Sequence, residues 1–230
     1  MNPDNVLYAA AVWIIPLVFA IVFHEVAHGL MARAMGDQTA SEQRRLSFNP
    51  LRHVDPVGTV ILPLVLAIAK APVFGWAKPV PVDARRMRNP RWGMVAVALA
   101  GPAMNLLLAA VTAVAIGVIA GQFLGSGPPQ GLTGFLWNNL INFLMINVFL
   151  AVFNLLPIPP FDGGHVVEGV LPRPLALQWA RLAPFGFPLL ILLLVVLPMI
   201  VPGANVVQHI VGPPADALVR FFLGFANLFG

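Results

Sequence analysis

Long apolar segments alternate with short polar loops along the whole chain. Five segments are predominantly apolar: 6–35, 57–69, 93–121, 133–156 and 184–201. A transmembrane helix needs about 20 consecutive apolar residues. Four of the five segments meet that length and predict spanning helices, whereas segment 57–69 is too short to span in the ordinary way.

The short segment and the residues after it predict a different element. Segment 57–69 contains Pro63, and basic residues lie on both sides of it. The stretches "VGTVIL" and "VFGWAKPVPV" are rich in β-branched residues and proline, which favours extended backbone. We therefore expect residues 57–82 to enter and leave on one side as a re-entrant β-like element. The whole pattern predicts an all-α polytopic membrane protein with about four to six transmembrane helices.

Composition supports a membrane protein and excludes a soluble one. The chain is 59% hydrophobic and 10% charged, against roughly 25% charged residues in soluble domains. Residues 92–161 and 182–215 contain no charged side chain. The net charge is +4, but the basic residues lie in short loops, where they determine membrane orientation. Nucleic acid is therefore not an expected partner.

The charge distribution also predicts an orientation. Basic residues cluster around 33–52 and 70–91, and such loops stay on the cytoplasmic side. The uncharged loop "QFLGSGPPQG" is then external, and the tail from 203 to 230 is expected to be an interfacial helix. The first apolar segment lacks a basic start and a cleavage site, so we expect it to be retained in the fold. We expect one domain, 1–230, with a core at about 6–171 and C-terminal helices at about 175–230.

A polar motif interrupts the first apolar segment near its end. The sequence "FHEVAHGL" places His24 and His28 four residues apart, on one face of a helix. Glu25 is turned roughly 100° away, where it can reach a metal-bound water. This is the H-E-x-x-H pattern of zinc hydrolases. The alternatives are a solvated helix end with two incidental histidines, or a proton-handling pair.

Two histidines leave a catalytic zinc without its usual third protein ligand. The chain has no cysteine, so that ligand must be a histidine or an acid. Asp162 is the preferred candidate, because three prolines end the preceding helix and two glycines follow. Irregular backbone of this kind is tolerated at membrane depth when it lines a cavity. The other candidates are His165, Glu168, Asp55 and His53.

These motifs resemble the site-2 protease family of intramembrane zinc metalloproteases, in its compact prokaryotic branch without PDZ or CBS domains. The likeness rests on "HEVAH" and "NLLPIPPFDGGH", with "NPLRHVDPVGT", "FGWAKPVPV" and "LAGPAMNLLLA", and covers about residues 10–171. It implies one Zn²⁺ per chain, bound by His24, His28 and Asp162, with Glu25 as general base. It also implies that Asn154 hydrogen-bonds near the substrate carbonyl; read alone, Asn154 is a helix-end amide that satisfies freed carbonyls.

The resemblance implies a function as well. A zinc metalloendopeptidase of this kind would cut transmembrane proteins near the cytoplasmic face of a prokaryotic inner membrane. Family substrates include membrane-tethered anti-sigma factors and remnant signal peptides. An edge within residues 57–82 could bind the unwound substrate as an added strand; the alternative is a packing plug that closes the site. A membrane zinc transporter or permease, and a non-catalytic substrate-binding homologue, are the rival functions.

Several further polar residues have no assigned role at this point. His165 could orient a metal ligand or be an interfacial histidine. His53 is expected to be a loop residue and His209 an interfacial one. Asn105 could hydrogen-bond between helices, and Gly101 would let two helices pack closely.

Overall fold

The computed structural model describes residues 6–68, 75–122, 129–201 and 207–229, and in these ranges the regular structure is helical. The ten α-helices there are α1 Val6–Met35, α2 Thr39–Glu42, α3 Leu62–Ile68, α4 Pro90–Gln122, α5 Gly131–Asn154, α6 Asp162–Val170, α7 Arg173–Ala180, α8 Ala183–Ile191, α9 Leu197–Ile200 and α10 Gly212–Ala226. π-helical turns at Pro56–Ile61, Leu192–Val196 and Val207–Val211 precede α3, α9 and α10, and short 3₁₀ turns lie at Pro50–His53 and Ala84–Arg86.

Four of these helical stretches are long and apolar enough to cross a membrane. They are Val6–Met35, Pro90–Gly121, Gly131–Asn154 and Ala183–Ile200, the last formed by α8, the turn after it and α9. They coincide with the four long segments expected from the sequence. Four candidate spans among the described residues agree, by length and composition, with the expected all-α protein of about four to six transmembrane helices.

The predicted β-like element at 57–82 is wrong for the residues that the structure describes there. Residues 56–68 are helical, and residues 75–83 contain no strand or other regular element. Residues 69–74 lie outside the described ranges. The Asp55 carboxylate caps the helical stretch by accepting hydrogen bonds from the amides of Val57 (3.0 Å) and Gly58 (2.7 Å). Pro56 occupies the first helical position, where its missing N–H costs nothing.

Small residues allow α1, α4 and α5 to pack closely around the core. Ala20 and Ala32 of α1, and Ala109 and Ala113 of α4, are fully buried. Helix α10 joins this bundle, because Ala215, Phe222 and Ala226 pack into the same cluster as Leu144 and Val148 of α5. The C-terminal region therefore packs against the predicted catalytic core.

The loops at one end of α1 and α4 form a joint polar layer. The peptide of Arg88 donates to the Met35 carbonyl (3.0 Å), and the Arg86 guanidinium binds Glu42 through two bonds (2.6 and 2.7 Å). The fully buried Asp37 accepts a hydrogen bond from the amide of Asp83 (2.7 Å). The polar end of α1 and the start of α4 thus lie together.

Helix 183–200 is attached to the rest of the molecule near its start. Gly186 lies directly against the Pro159–Pro160 backbone, because a Cβ there would stand 2.9 Å from backbone atoms of both prolines. The Phe187 ring meets Trp76 edge-on, with centroids 4.9 Å apart. Most of this helix faces outward, as suits a helix surrounded by lipid.

Candidate metal centre

Three ligand-type side chains from two distant parts of the chain converge beside α4. His24 Nε2 lies 3.2 Å from Asp162 Oδ2, and His28 Nε2 lies 3.4 Å from the same oxygen. The two Nε2 atoms are 2.9 Å apart. These three residues form the one group of three or more potential metal-ligating side chains found among the described residues. The two histidines and the third ligand preferred from the sequence are thus brought together.

Hydrogen bonds at the far side of each imidazole determine its tautomer. His28 Nδ1 faces the Val97 carbonyl at 2.7 Å, which can act only as an acceptor. His24 Nδ1 faces Asn105 Oδ1 at 2.5 Å. The Asn105 amide nitrogen donates to Asn147 Oδ1 (2.8 Å), so its oxygen must be the atom that faces His24. Both Nδ1 atoms therefore carry the proton, and both Nε2 atoms present lone pairs in the neutral rings.

In these tautomers the three converging atoms are all hydrogen-bond acceptors, so none of them can donate to another. Asp162 Oδ2 is buried and receives no hydrogen bond. A carboxylic acid with its ordinary pKa of about 4 is anionic at neutral pH. Two lone pairs and one anionic oxygen at these separations repel one another unless they share a proton or a metal cation.

The donor set and its spacing fit zinc. Zinc binds imidazole nitrogen and carboxylate oxygen at about 2.0–2.2 Å, which places the ligand atoms of a tetrahedral site roughly 3.3 Å apart. The separations of 2.9, 3.2 and 3.4 Å are close to that value. Three protein ligands with a fourth position left open are typical of catalytic rather than structural zinc.

Gly101 of α4 provides the space for a cation. A Cβ at this position would lie 2.5 Å from His28 Nε2 and 2.6 Å from His24 Nε2. It would therefore crowd the Nε2 edge of both imidazoles, where a coordinated cation must approach. The sequence suggested that Gly101 allows close helix packing; the structure shows that the surfaces it brings together are the ligand imidazoles.

Asp162 is positioned by the turn between α5 and α6. Residue Gly163 packs against the carbonyls of Leu155 and Leu156, where a Cβ would stand 2.4 Å from both oxygens. At the other end of α6, the Arg91 side chain donates to the Gly169 carbonyl at 2.6 Å. Helix α6 is thus held against α4, and Asp162 at its start faces the imidazoles of α1.

Glu25 is half-buried one position after His24 and bonds to a different segment. Its Oε2 accepts a hydrogen bond from the Val80 amide at 2.8 Å. This contact joins residues separated by 55 positions. The sequence identified Glu25 as a candidate base but contained no signal for its partner.

Asn154 and His165 make no recorded contact with the three ligands. The Asn154 amide nitrogen donates to the Leu150 carbonyl at 2.9 Å, four residues earlier in α5. This bond matches the alternative interpretation, in which Asn154 is a helix-end amide that satisfies a backbone carbonyl. The exposed His165 lies 3.7 Å from Glu168. The catalytic role of Asn154 and the ligand-orienting role of His165 stay predictions.

The remaining candidate ligands lie elsewhere. Asp55 caps the helical stretch that begins at Pro56. His53 lies in the short 3₁₀ turn between α2 and α3, where it is buried and its Nε2 lies 2.7 Å from the Ser47 carbonyl. His209 is exposed in the turn before α10. Their positions leave Asp162 as the carboxylate at the histidine pair.

Sequence reasoning missed the chain of amides behind His24. Asn105 and Asn147 are fully buried, and Asn147 in turn donates to the Phe143 carbonyl at 2.7 Å. Asn105 was expected to bond between helices, which it does, but its partner is a metal-ligand imidazole. Two asparagines within apolar segments were the available signal, because a buried amide in a membrane helix needs a partner.

Comparison with known proteins gives the same picture. The model of a family described as peptidase family M50 matches residues 12–195. The chain is 33% identical over 213 residues to YwhC of Bacillus subtilis (strain 168), covering 91% of this chain and 90% of that one. It is 27% identical to Rip2 of Mycolicibacterium smegmatis over 77% of this chain and 64% of that protein.

A third relative is sll0528 of Synechocystis sp., 28% identical over 69% of this chain but only 32% of that protein. All three relatives are named as candidate zinc metalloproteases. No solved structure matches the chain.

Proposed function

Because the chain belongs to peptidase family M50, we propose that it is an intramembrane zinc metalloprotease that hydrolyses peptide bonds of transmembrane substrates. The observation that supports this best is the convergence of two Nδ1-protonated imidazoles and one carboxylate on a common volume beside Glu25. A site with three protein ligands and a neighbouring glutamate is the arrangement of a hydrolytic zinc centre.

The chemistry divides between the metal and the chain. Zinc held by His24, His28 and Asp162 would act as a Lewis acid and lower the pKa of a coordinated water to about 7. Glu25 takes the proton from the attacking water and passes it to the leaving amine. The carbonyl of Val97 and the amide of Asn105 keep both imidazoles in the ligating tautomer throughout.

Asn154 has a proposed supporting role at the substrate. Its amide nitrogen bonds to Leu150 within α5, so contact with a substrate carbonyl requires this bond to be exchanged or shared. Its position at the last residue of α5, eight residues before Asp162, keeps it near the turn that positions the ligand. The family resemblance supports this assignment.

The proposed substrate is a transmembrane protein cut near the cytoplasmic face of a prokaryotic inner membrane. The basic loops on either side of α2 and before α4 support that side, because such loops stay cytoplasmic. A transmembrane helix hides its amides in internal hydrogen bonds, so the substrate must unwind before cleavage. Anti-sigma factors and remnant signal peptides are the substrate classes that the resemblance suggests.

Replacing Glu25 by Gln tests the function. The purified protein in detergent is assayed for cleavage of a transmembrane peptide and for zinc per chain. We expect Glu25→Gln to keep zinc and to lose cleavage by more than about 100-fold, since general-base catalysis contributes 10²–10⁴. Glu168→Gln, a matched change on α6 away from the ligands, controls for the loss of a carboxylate.

Each rival function predicts a different result. A zinc transporter reconstituted in vesicles keeps its flux in Glu25→Gln and cleaves nothing in either form. A non-catalytic homologue binds peptide without cleavage even when fully loaded with zinc. Unchanged cleavage by Glu25→Gln would refute the assignment of the base.

A further inference from the structure

The segment "KPVPV", residues 78–82, contacts Glu25 and has an unusual pattern of donors. Pro79 and Pro81 have no backbone N–H, so Val80 supplies the one amide donor of this triplet. That donor is directed at Glu25 Oε2, at 2.8 Å. Val80 is 6% exposed, so water has little access to compete for the bond.

The extended segment is anchored on both sides of Val80. Upstream, the Lys78 amide donates to the His53 carbonyl at 2.8 Å, and the Arg45 guanidinium donates to the Lys78 carbonyl at 2.8 Å. Downstream, the Asp83 amide donates to Asp37 at 2.7 Å. The Val80 side chain packs on Gly29 of α1, where an added Cβ would stand 2.9 Å from it. Val80 therefore stays in register with α1.

Peptide groups of an extended chain alternate in direction, so alternate residues face the same side. The amides of Trp76, Lys78 and Val80 all bond inward, to Gly58, His53 and Glu25. Pro79 and Pro81 lie on either side of Val80, at positions where an amide would face outward. The outer edge therefore lacks the N–H donors that an added strand would need. The N–H groups of the inner edge are already bonded within the protein.

From this geometry we propose that the peptide N–H of Val80 is a positioning group for Glu25. It binds one carboxylate oxygen, Oε2, and so fixes the side chain while leaving the other oxygen to act as the base. A free glutamate side chain loses considerable rotamer freedom on being ordered, and this bond orders it before substrate arrives. The inference rests on the proposed role of Glu25 as general base.

The consequence is a specific kinetic signature. Glu25 is not one of the three converging ligands, so loss of the Val80 donor leaves zinc affinity unchanged. The substrate also need not contact this N–H, so KM stays close to its original value. A misplaced base affects the chemical step, and the effect is therefore in kcat.

Two proline variants separate this role from general support of the segment. Val80→Pro removes the donor to Glu25, whereas Lys78→Pro removes a donor of the same segment that bonds to His53. Since hydrogen bonds to charged groups are among the stronger ones, we expect Val80→Pro to lower kcat about 10- to 100-fold. KM and zinc per chain should stay within about twofold. Val80→Ala retains the donor and should recover most of kcat.

A loss of kcat confined to Val80→Pro would support the inference. Equal losses in Val80→Pro and Lys78→Pro, or an equal loss in Val80→Ala, would overturn it, because the effect would then not depend on the N–H to Glu25. If Val80→Pro does not retain zinc or a cooperative thermal transition, the inference is tested by amide hydrogen exchange, which requires no proline substitution.

Amide hydrogen exchange tests the bond without any assay of activity. In protein labelled with ¹⁵N-valine, the Val80 amide should exchange slowly, and Glu25→Ala should accelerate it at least about tenfold. Helical valines of α4 serve as the internal reference. Equal exchange at Val80 in both proteins would overturn the inference. Full cleavage by Glu25→Gln would instead refute the assignment of Glu25 as the general base while leaving the exchange result intact.

Discussion

Replacing Gly101 by Ala places a methyl group where the cation should lie. The added carbon would stand 2.5 Å from His28 Nε2 and 2.6 Å from His24 Nε2. Ordinary contacts of this kind need about 3.5 Å, so α1 and α4 would have to separate by roughly 1 Å. Zinc–ligand distances tolerate only about ±0.2 Å. The helix pair cannot meet both requirements, and we expect the variant to fold with the imidazoles spread apart and the metal excluded.

Zinc content and thermal stability measure this effect together. Purified wild type and Gly101→Ala are dialysed against buffered zinc, and zinc per chain is determined by mass spectrometry. We expect at least about a 100-fold loss of affinity, since two of three ligands are displaced at once. Gly224→Ala on α10 is the matched control, because a Cβ there meets nothing within 4 Å.

The result that would refute the reasoning is zinc binding by Gly101→Ala with the affinity and stoichiometry of the wild type. The cation would then lie elsewhere, and the convergence of the three ligands would need another explanation. A cooperative thermal transition in the metal-free variant shows that the loss of zinc does not come from unfolding.

The remaining predictions concern Asn105, Asp162 and Asp37. Asn105→Ala leaves His24 Nδ1–H without its partner, so titration should show zinc affinity reduced about 10- to 100-fold; unchanged affinity would contradict the tautomer argument. Asp162→Ala should lose zinc, and an undiminished metal content would point to His165. Burial raises the pKa of Asp37, but hydrogen bonds from Thr39 and Asp83 lower it by more, so the net pKa lies below its usual value. Because the pKa of Asp37 is lower in the folded than in the unfolded state, the ionised carboxylate stabilises the fold above about pH 4, and this stabilisation is lost on acidification. Thermal melts should therefore show Asp37→Asn less stable than wild type at pH 7 and similar to it at the lowest pH that the protein tolerates.

The error at residues 57–82 shows what was overlooked in the sequence. β-branched residues and a proline favoured extended backbone, yet residues 56–68 are helical. Asp55 followed by Pro56 is a capping pair with proline at the first helical position, a local signal for a helix start. Without a partner strand, a helix also satisfies its own backbone groups in an apolar environment. Capping and backbone satisfaction outweighed side-chain propensity.

The sequence by itself determined the four long helices and the nature of the site. Apolar length and charge placement depend on composition along the chain, and the four-residue spacing of His24 and His28 puts them on one helical face. Asp162 could be predicted because prolines and glycines make its backbone irregular in a place where irregular backbone is costly.

Tertiary structure decided how those residues are oriented. Asn105 reaches His24 across 81 positions, Val97 reaches His28 across 69, and Val80 reaches Glu25 across 55. Two of these partners are backbone groups, which every residue has, so no residue type marks them in advance. Gly101 likewise gains its meaning only from the imidazoles packed against it. Which atoms meet depends on how α1, α4 and the 75–83 segment pack, and local sequence patterns do not encode that packing.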